Sequence, residues 1–270
     1  MIENLCAHFG FTRTPFGREL APGQLCRYPA HQEAVARISW TINERGLGII
    51  TGEVGAGKTV AVRAATAPLD RSRHTIIYLG NPAIGAAGIY AEIVRGLGEH
   101  PRIGKAQLVH QTGELLAAEE HEKGRLTILI VDEAHLLGVD QLEELRLLTN
   151  ADMDSHAPFA AILIGQPTLR RMIKLGRFAA LDQRITMRCT LTGMDLQQTT
   201  TYITHHLHLA GRDDTMFSTD AIGLLHEPSR GLPRAINNLA LHALTAAYAA
   251  DKAIVDATCA RTAIAEVNQE

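Results

Sequence analysis

The run Leu47-Gly48-Ile49-Ile50-Thr51-Gly52-Glu53-Val54-Gly55-Ala56-Gly57-Lys58-Thr59 constrains this chain more than any other stretch. Its apolar first half reads as a buried strand. Its second half, residues 52–59, fits the pattern G-x-x-x-x-G-K-[ST] of a phosphate-binding loop. Glycines at Gly52, Gly55 and Gly57 let the backbone turn its N–H groups inward, and the helix expected over residues 60–65 aims its N-terminus at the same point. Lys58 then reaches the β- and γ-phosphates, and the Thr59 hydroxyl reaches Mg2+. The residues expected to cradle a nucleotide are therefore Gly52, Glu53, Val54, Gly55, Ala56, Gly57, Lys58 and Thr59.

Around this loop the hydrophobic pattern alternates between short apolar runs and helical periodicity. Strands are expected over residues 75–79, 126–131 and 159–164, with a weaker one over 188–191. Helices are expected over 31–44, 89–97, 105–121 and 140–149. Such alternation argues for a doubly wound α/β sheet with its ligand at the carboxyl ends of the strands. Beyond Gly193 only helices are expected, over 195–209, 218–226, 232–250 and 256–267. The first thirty residues alternate turn formers with Phe9, Phe11 and Phe16, which reads as an irregular arm anchored by its rings. Three parts follow: an arm (1–30), an α/β core (31–193) and a small helical lid (194–270).

Composition narrows the class. With 46% hydrophobic and 20% charged residues the chain is ordinary for a globular protein. The net charge of -3 exerts no general pull toward nucleic acid, so a DNA contact would have to come from a local patch. Cys6, Cys26, Cys189 and Cys259 are far apart and form no C-x-x-C pair, which argues for reduced thiols and against zinc. His205, His206 and His208 lack a carboxylate or cysteine to complete a metal set and are expected as exposed lid residues. There is no secretion signal and no apolar run long enough to span a bilayer, so the expectation is a cytoplasmic protein with no membrane partner.

The third strand leads into Asp132-Glu133-Ala134-His135. An aspartate at the end of a buried strand, downstream of a phosphate loop, is placed to hold Mg2+. Glu133 beside it can orient or deprotonate the attacking water. The same four letters occur in nucleic-acid helicases, but those need two successive α/β domains, and this chain has room for one. At the end of the fourth strand, Gln166 would sit beside the γ-phosphate and report its presence.

The ordered set of Phe9-Gly10-Phe11 with Pro15-Phe16, the phosphate loop, Asp132-Glu133-Ala134-His135, Ile164-Gly165-Gln166-Pro167, Leu181-Asp182-Gln183-Arg184-Ile185 and Gly231-Leu232-Pro233-Arg234 resembles the ExeA-type AAA+ ATPases. That branch is similar to the ATP-dependent regulators of bacterial transposons, the TniB and IstB types. The resemblance implies a AAA+ core with strand order 5-1-4-3-2, a helical lid, ATP and Mg2+ as ligands, and sites shared between subunits of a homo-oligomer, ring or filament. It implies that Arg184 is an arginine finger offered to the neighbouring subunit's γ-phosphate. It also implies that Arg234 senses the nucleotide from the lid, with Pro233 near the adenine.

Two basic clusters suggest duplex DNA as a partner. Arg170, Arg171, Lys174 and Arg177 share roughly one side of a helix with few acids between them, and Arg188 follows. Arg102 and Lys105 flank the loop before the helix over 105–121. The leading expectation is a regulator that assembles on duplex DNA with ATP, recruits a transposase and disassembles on hydrolysis. Secretion ATPases of this type continue past the lid through a membrane segment to a peptidoglycan-binding region, whereas this sequence ends at Glu270. The alternative is a nucleotide-switched assembly factor acting on proteins, as in secretion, without DNA. A P-loop kinase fits less well, given the Asp132-Glu133 pair and the lid arginine.

Overall fold

A computed structural model describes residues 2–17, 19–149 and 157–267 of the 270-residue chain. These residues form two compact units, one comprising Glu33–Val54 with Lys58–Leu191 and the other Met1–Gln32, Gly55–Gly57 and Thr192–Glu270.

The first unit is built on five parallel strands: β1 (Leu47–Gly52), β2 (His74–Leu79), β3 (Leu126–Val131), β4 (Phe159–Gly165) and β5 (Ile185–Leu191). They lie in the order β2-β3-β4-β1-β5, the arrangement expected from the resemblance. β1 and β4 are buried along their whole lengths, as strands in the middle of a parallel sheet must be. In β3, Leu129 and Val131 join one apolar cluster, while Ile128 and Ile130 are buried from the opposite face, following the two-residue alternation of a strand. The edge strand β5 instead alternates, with Ile185, Met187, Cys189 and Leu191 buried and Thr186, Arg188 and Thr190 exposed. It starts three residues before the expected position because this period-two pattern already begins at Ile185.

Helices connect the strands: α3 (Lys58–Thr66), α4 (Gly85–Gly96), α5 (Lys105–His121), α6 (Val139–Leu148), α7 (Pro167–Ile173) and α8 (Ala179–Arg184). Ile89 and Ile93 of α4, Leu116 of α5 and Leu142 and Leu145 of α6 pack with Leu129 and Val131. In register, Leu79 pairs with Val131, Val131 with Leu163, and Thr51 with Gly165. The carboxyl ends of β1, β2, β3 and β4 thus come side by side, and the residues leaving them meet.

The second unit is helical, with α1 (Ile2–Phe9), α9 (Leu196–Leu209), α10 (Thr219–Ser229), α11 (Pro233–Ala249) and α12 (Ala257–Val267). The expected arm is in part a helix. Leu5 and Phe9, one turn apart in α1, are buried with Phe11 and Phe16 among Ile203, Leu207 and Leu239. Thr12 N–H donates to Ala210 O at 2.8 Å and Arg13 Nε to Leu209 O at 2.8 Å, so backbone and side chain tie this segment to the end of α9. Helix α10 runs past the expected stop at His226, over Pro228, with the Ser229 hydroxyl donating to His226 O at 2.8 Å. One glycine here is dictated sterically: Gly231 has φ +70°, and a Cβ on it would stand 1.9 Å from Met194 O. The lid histidines are not uniformly exposed. His206 is 3% exposed and stacked on Phe16, His205 is partly buried with Nε2 2.7 Å from Gln24 O, and His208 alone is exposed. The helix face carrying His206 is needed for the core, which outweighs its polarity.

A helix, α2 (Pro29–Asn43), leads into β1, with Ala34, Ile38 and Ile42 fully buried at helical spacing. Among the described residues no helix is long and apolar enough to cross a membrane.

Candidate active site

The chemistry-bearing residues of the sheet unit converge on Asp132, the first residue after β3. Its side chain is 8% exposed and accepts three hydrogen bonds. The Thr59 hydroxyl and the Tyr78 hydroxyl each donate to Oδ2 at 2.9 Å, and the Glu133 amide donates to Oδ1 at 2.8 Å. Three donors on one carboxylate fix its orientation. Lys58, the first residue of α3, turns its ammonium onto the carbonyls of Gly52 and Glu53, 2.9 Å from each. The structure thus brings Lys58 to the mouth of the loop and joins Thr59 to Asp132 beyond it.

Tyr78 was not among the expected residues. It is half-exposed, and its phenol is pushed up to about 12 by desolvation, then by its bond to Asp132 and the charges of Asp132 and Glu133. It therefore stays a neutral donor that orients Asp132. Its position one residue before the end of β2, beside β3 in the sheet, is the signal that could have found it.

Glu133 has φ 50° and ψ 33°, a left-handed conformation rare for a residue with a β-carbon. The turn holds it there: its amide donates to Asp132 and its carbonyl accepts from Leu136 N–H at 2.8 Å. Backbone strain of this kind clusters at functional sites. The carboxylate is half-exposed, with Oε2 3.4 Å from His135 Nδ1. Gln166 caps α7 at the end of β4, and its amide donates to the same Nδ1 at 3.5 Å. Asp132, Glu133, His135 and Gln166 thus form one connected group at the strand ends.

Within the loop, Gly55 and Gly57 take φ +82° and +90°, which side chains rarely adopt. A Cβ on Gly55 would stand 2.7 Å from Arg234 Cβ, and the Arg234 amide donates to Gly55 O at 3.3 Å. Arg234 follows Pro233 in the first turn of α11, where proline's missing N–H costs nothing. Tyr28 OH donates to Ala56 O at 3.4 Å.

Residues 42–173 match the AAA domain family. The chain is 33% identical over 244 residues to General secretion pathway protein A of Aeromonas hydrophila, covering 89% of this chain and 44% of that protein. The chain thus spans less than half the length of this relative. Among solved structures it is similar to Cdc6p of Pyrobaculum aerophilum, with TM-score 0.68 and 17% identity over 89% of this chain and 67% of that one. It is also similar to the Aeropyrum pernix ORC1 protein in complex with DNA, with TM-score 0.68 and 14% identity over 90% of this chain and 67% of that one. The fold is that of the AAA+ ATPases. The family match falls on the stretch that carries the phosphate loop and Asp132.

Two groups of expected residues are not among the Thr59, Tyr78 and Glu133 donors to Asp132. Arg184, the last residue of α8, directs NH1 to Thr149 O and Oγ1, both at 3.4 Å. The basic residues proposed for DNA are divided, and four of them are matched by acids. Arg102 NH1 is 3.7 Å from Glu114, Lys105 pairs with the buried Glu144, and Asp182 takes Lys174 at 3.0 Å and Arg188 at 2.7 Å. Arg170 and Arg171 lie in the last turn of α7, which stops at Ile173. Lys174 and Arg177 are therefore not on that helix, and the expected single face of arginines is broken by Leu175 and Gly176.

Proposed function

We propose that this chain hydrolyses ATP with Mg2+ and uses the cycle to switch an assembly of its own copies acting on protein partners, as in secretion. The observation that carries the hydrolytic half is Asp132, bound by Thr59 and Tyr78 and followed by the left-handed Glu133. The Thr59 hydroxyl and the Asp132 carboxylate are hard oxygen donors 2.9 Å apart. Neighbouring ligands at about 2.1 Å from an octahedral Mg2+ stand about 3 Å from each other, so the pair fits this ion. Mg2+ bound there would neutralise charge on the β- and γ-phosphates.

The chain's own groups do the rest. Backbone N–H groups of residues 52–57 hold the phosphates, and Lys58 supplies the cation to the β- and γ-oxygens. Glu133 takes a proton from the water that attacks the γ-phosphate, and Gln166 orients against that phosphate. Arg184 acts on a neighbouring copy's γ-phosphate, and Pro233 with Arg234 keeps the nucleotide-sensing role of the resemblance.

Two observations support a protein-directed reading over the transposition regulator expected from the sequence. The curated relative is by name a secretion-pathway protein, and four of the basic residues weighed for DNA, Arg102, Lys105, Lys174 and Arg188, are paired with Glu114, Glu144 and Asp182. The test is ATP turnover with and without duplex DNA across a salt series. The expected result is Mg2+-dependent turnover that DNA leaves unchanged even at low salt. Stimulation by DNA that fades as salt rises would return the assignment to the DNA-assembled regulator.

A further inference from the structure

One ring nitrogen in this site faces two partners. His135 Nδ1 accepts the Gln166 amide hydrogen at 3.5 Å and lies 3.4 Å from Glu133 Oε2. The His135 side chain is 12% exposed, and the turn that carries it presses on the end of β4: a Cβ on Gly165 would stand 3.2 Å from His135 N. The ring therefore has little room to leave this place.

A backbone N–H can only donate, so while Gln166 occupies Nδ1 that nitrogen presents a lone pair and the imidazole proton sits on Nε2. Glu133 Oε2, 3.4 Å away, then meets a nitrogen that carries no hydrogen, and no hydrogen bond joins them. Withdrawal of the Gln166 amide removes the constraint on the tautomer. The proton can then reside on Nδ1 and be donated to Glu133, which would hold the carboxylate in place against the ring.

We propose that His135 is a positioning residue that couples the β4–α7 junction at Gln166 to the hydrolytic Glu133 by offering one nitrogen to both. With the Gln166 amide on Nδ1, Glu133 is released for catalysis; without it, His135 restrains Glu133. The inference rests on the assignment of Glu133 as the group that activates water.

Gln166 has φ -74° and precedes Pro167, so proline fits its backbone while deleting the N–H. Gln166→Ala and Gln166→Pro both lose the side chain, and only the second loses the donor. In the His135 protein, Gln166→Pro should turn over ATP about tenfold more slowly than Gln166→Ala, with similar ATP binding. In the His135→Phe background the two should agree to within about twofold. An equal Pro-to-Ala ratio in both backgrounds would overturn the coupling. Nitrogen NMR of the ¹⁵N-histidine-labelled, unsubstituted protein provides a reading independent of variant stability, with the His135 signals assigned by their loss in His135→Phe. The expected form has its proton on Nε2, and a proton on Nδ1 without nucleotide would contradict the proposal. If Glu133→Gln hydrolyses ATP normally, the water-activating assignment fails instead, and that outcome is separate from either reading of His135.

Discussion

His206 shows how burial sets the chemistry of one residue. Its ring lies 5.2 Å from Phe16 and 4.5 Å from Tyr202, and burial, with the nearby His205 and Arg13 charges, lowers its pKa to about 4. Phe16 holds φ 62°, so the stacked pair also fixes a strained backbone. Unfolded, the imidazole regains a pKa near 6.5, so between pH 6.5 and 4 the unfolded state binds more protons. Its contribution is fully present above pH 6.5 and is lost as the pH falls toward 4. At pH 5 this amounts to about 2 kcal/mol. His206→Phe keeps a ring against Phe16 and cannot take up the proton. Denaturant melts at pH 7 and pH 5 should therefore show a smaller acid loss in the variant, and an equal loss in both proteins would remove His206 as the cause. The side chains proposed for phosphate, metal and water, Lys58, Thr59, Asp132 and Glu133, could be singled out because their spacing along the chain is itself the constraint. Tyr78 and His135 were not assigned roles, because their contacts depend on which strand ends adjoin, and that is legible only once the strand order is combined with each residue's place at a strand end.

At the level of elements, the junction of α8 and β5 carries the trans-acting proposal. Arg184 ends the helix and Ile185 begins the edge strand with no intervening loop, so the arginine's backbone is set by the sheet. Its guanidinium lies against Thr149 at the end of α6. If Arg184 serves a neighbouring copy, neither Arg184→Ala nor Glu133→Gln alone should turn over ATP well. Mixing the two under conditions of subunit exchange should restore part of the rate, because a mixed interface can pair an intact glutamate with an intact arginine. Absence of any recovery, with exchange demonstrated by fluorescence transfer between labelled subunits, would count against a shared site. The buried elements matched expectation closely, with α5 and β3 beginning and ending where periodicity placed them. The exceptions have local causes. In α1, Gly10 and the turn formers after it masked a single helical turn of spacing between Leu5 and Phe9. In β5 a one-sided edge pattern was weaker than the continuous apolar run of a central strand.

For the molecule as a whole, the α/β sheet and the helical C-terminal part follow from alternation in the first two-thirds of the sequence and its absence afterwards, while the strand order was legible only through the resemblance. What the proposed hydrolysis acts on is less legible. A net charge of -3 and basic side chains paired with carboxylates give DNA little to hold, yet the sequence shows those cations as a cluster because their acidic partners are distant in the chain. Asp182 lies eight residues from Lys174, and Glu144 lies 39 residues from Lys105. The central claim is Mg2+-dependent ATP hydrolysis at the Lys58–Asp132–Glu133 site, and it is tested most directly by measuring ATP binding and turnover side by side for the unaltered protein, Lys58→Ala and Glu133→Gln. The account predicts that Lys58→Ala loses binding, while Glu133→Gln binds ATP normally and turns it over about 100-fold more slowly. Normal binding by Lys58→Ala, or full turnover by Glu133→Gln, would contradict it.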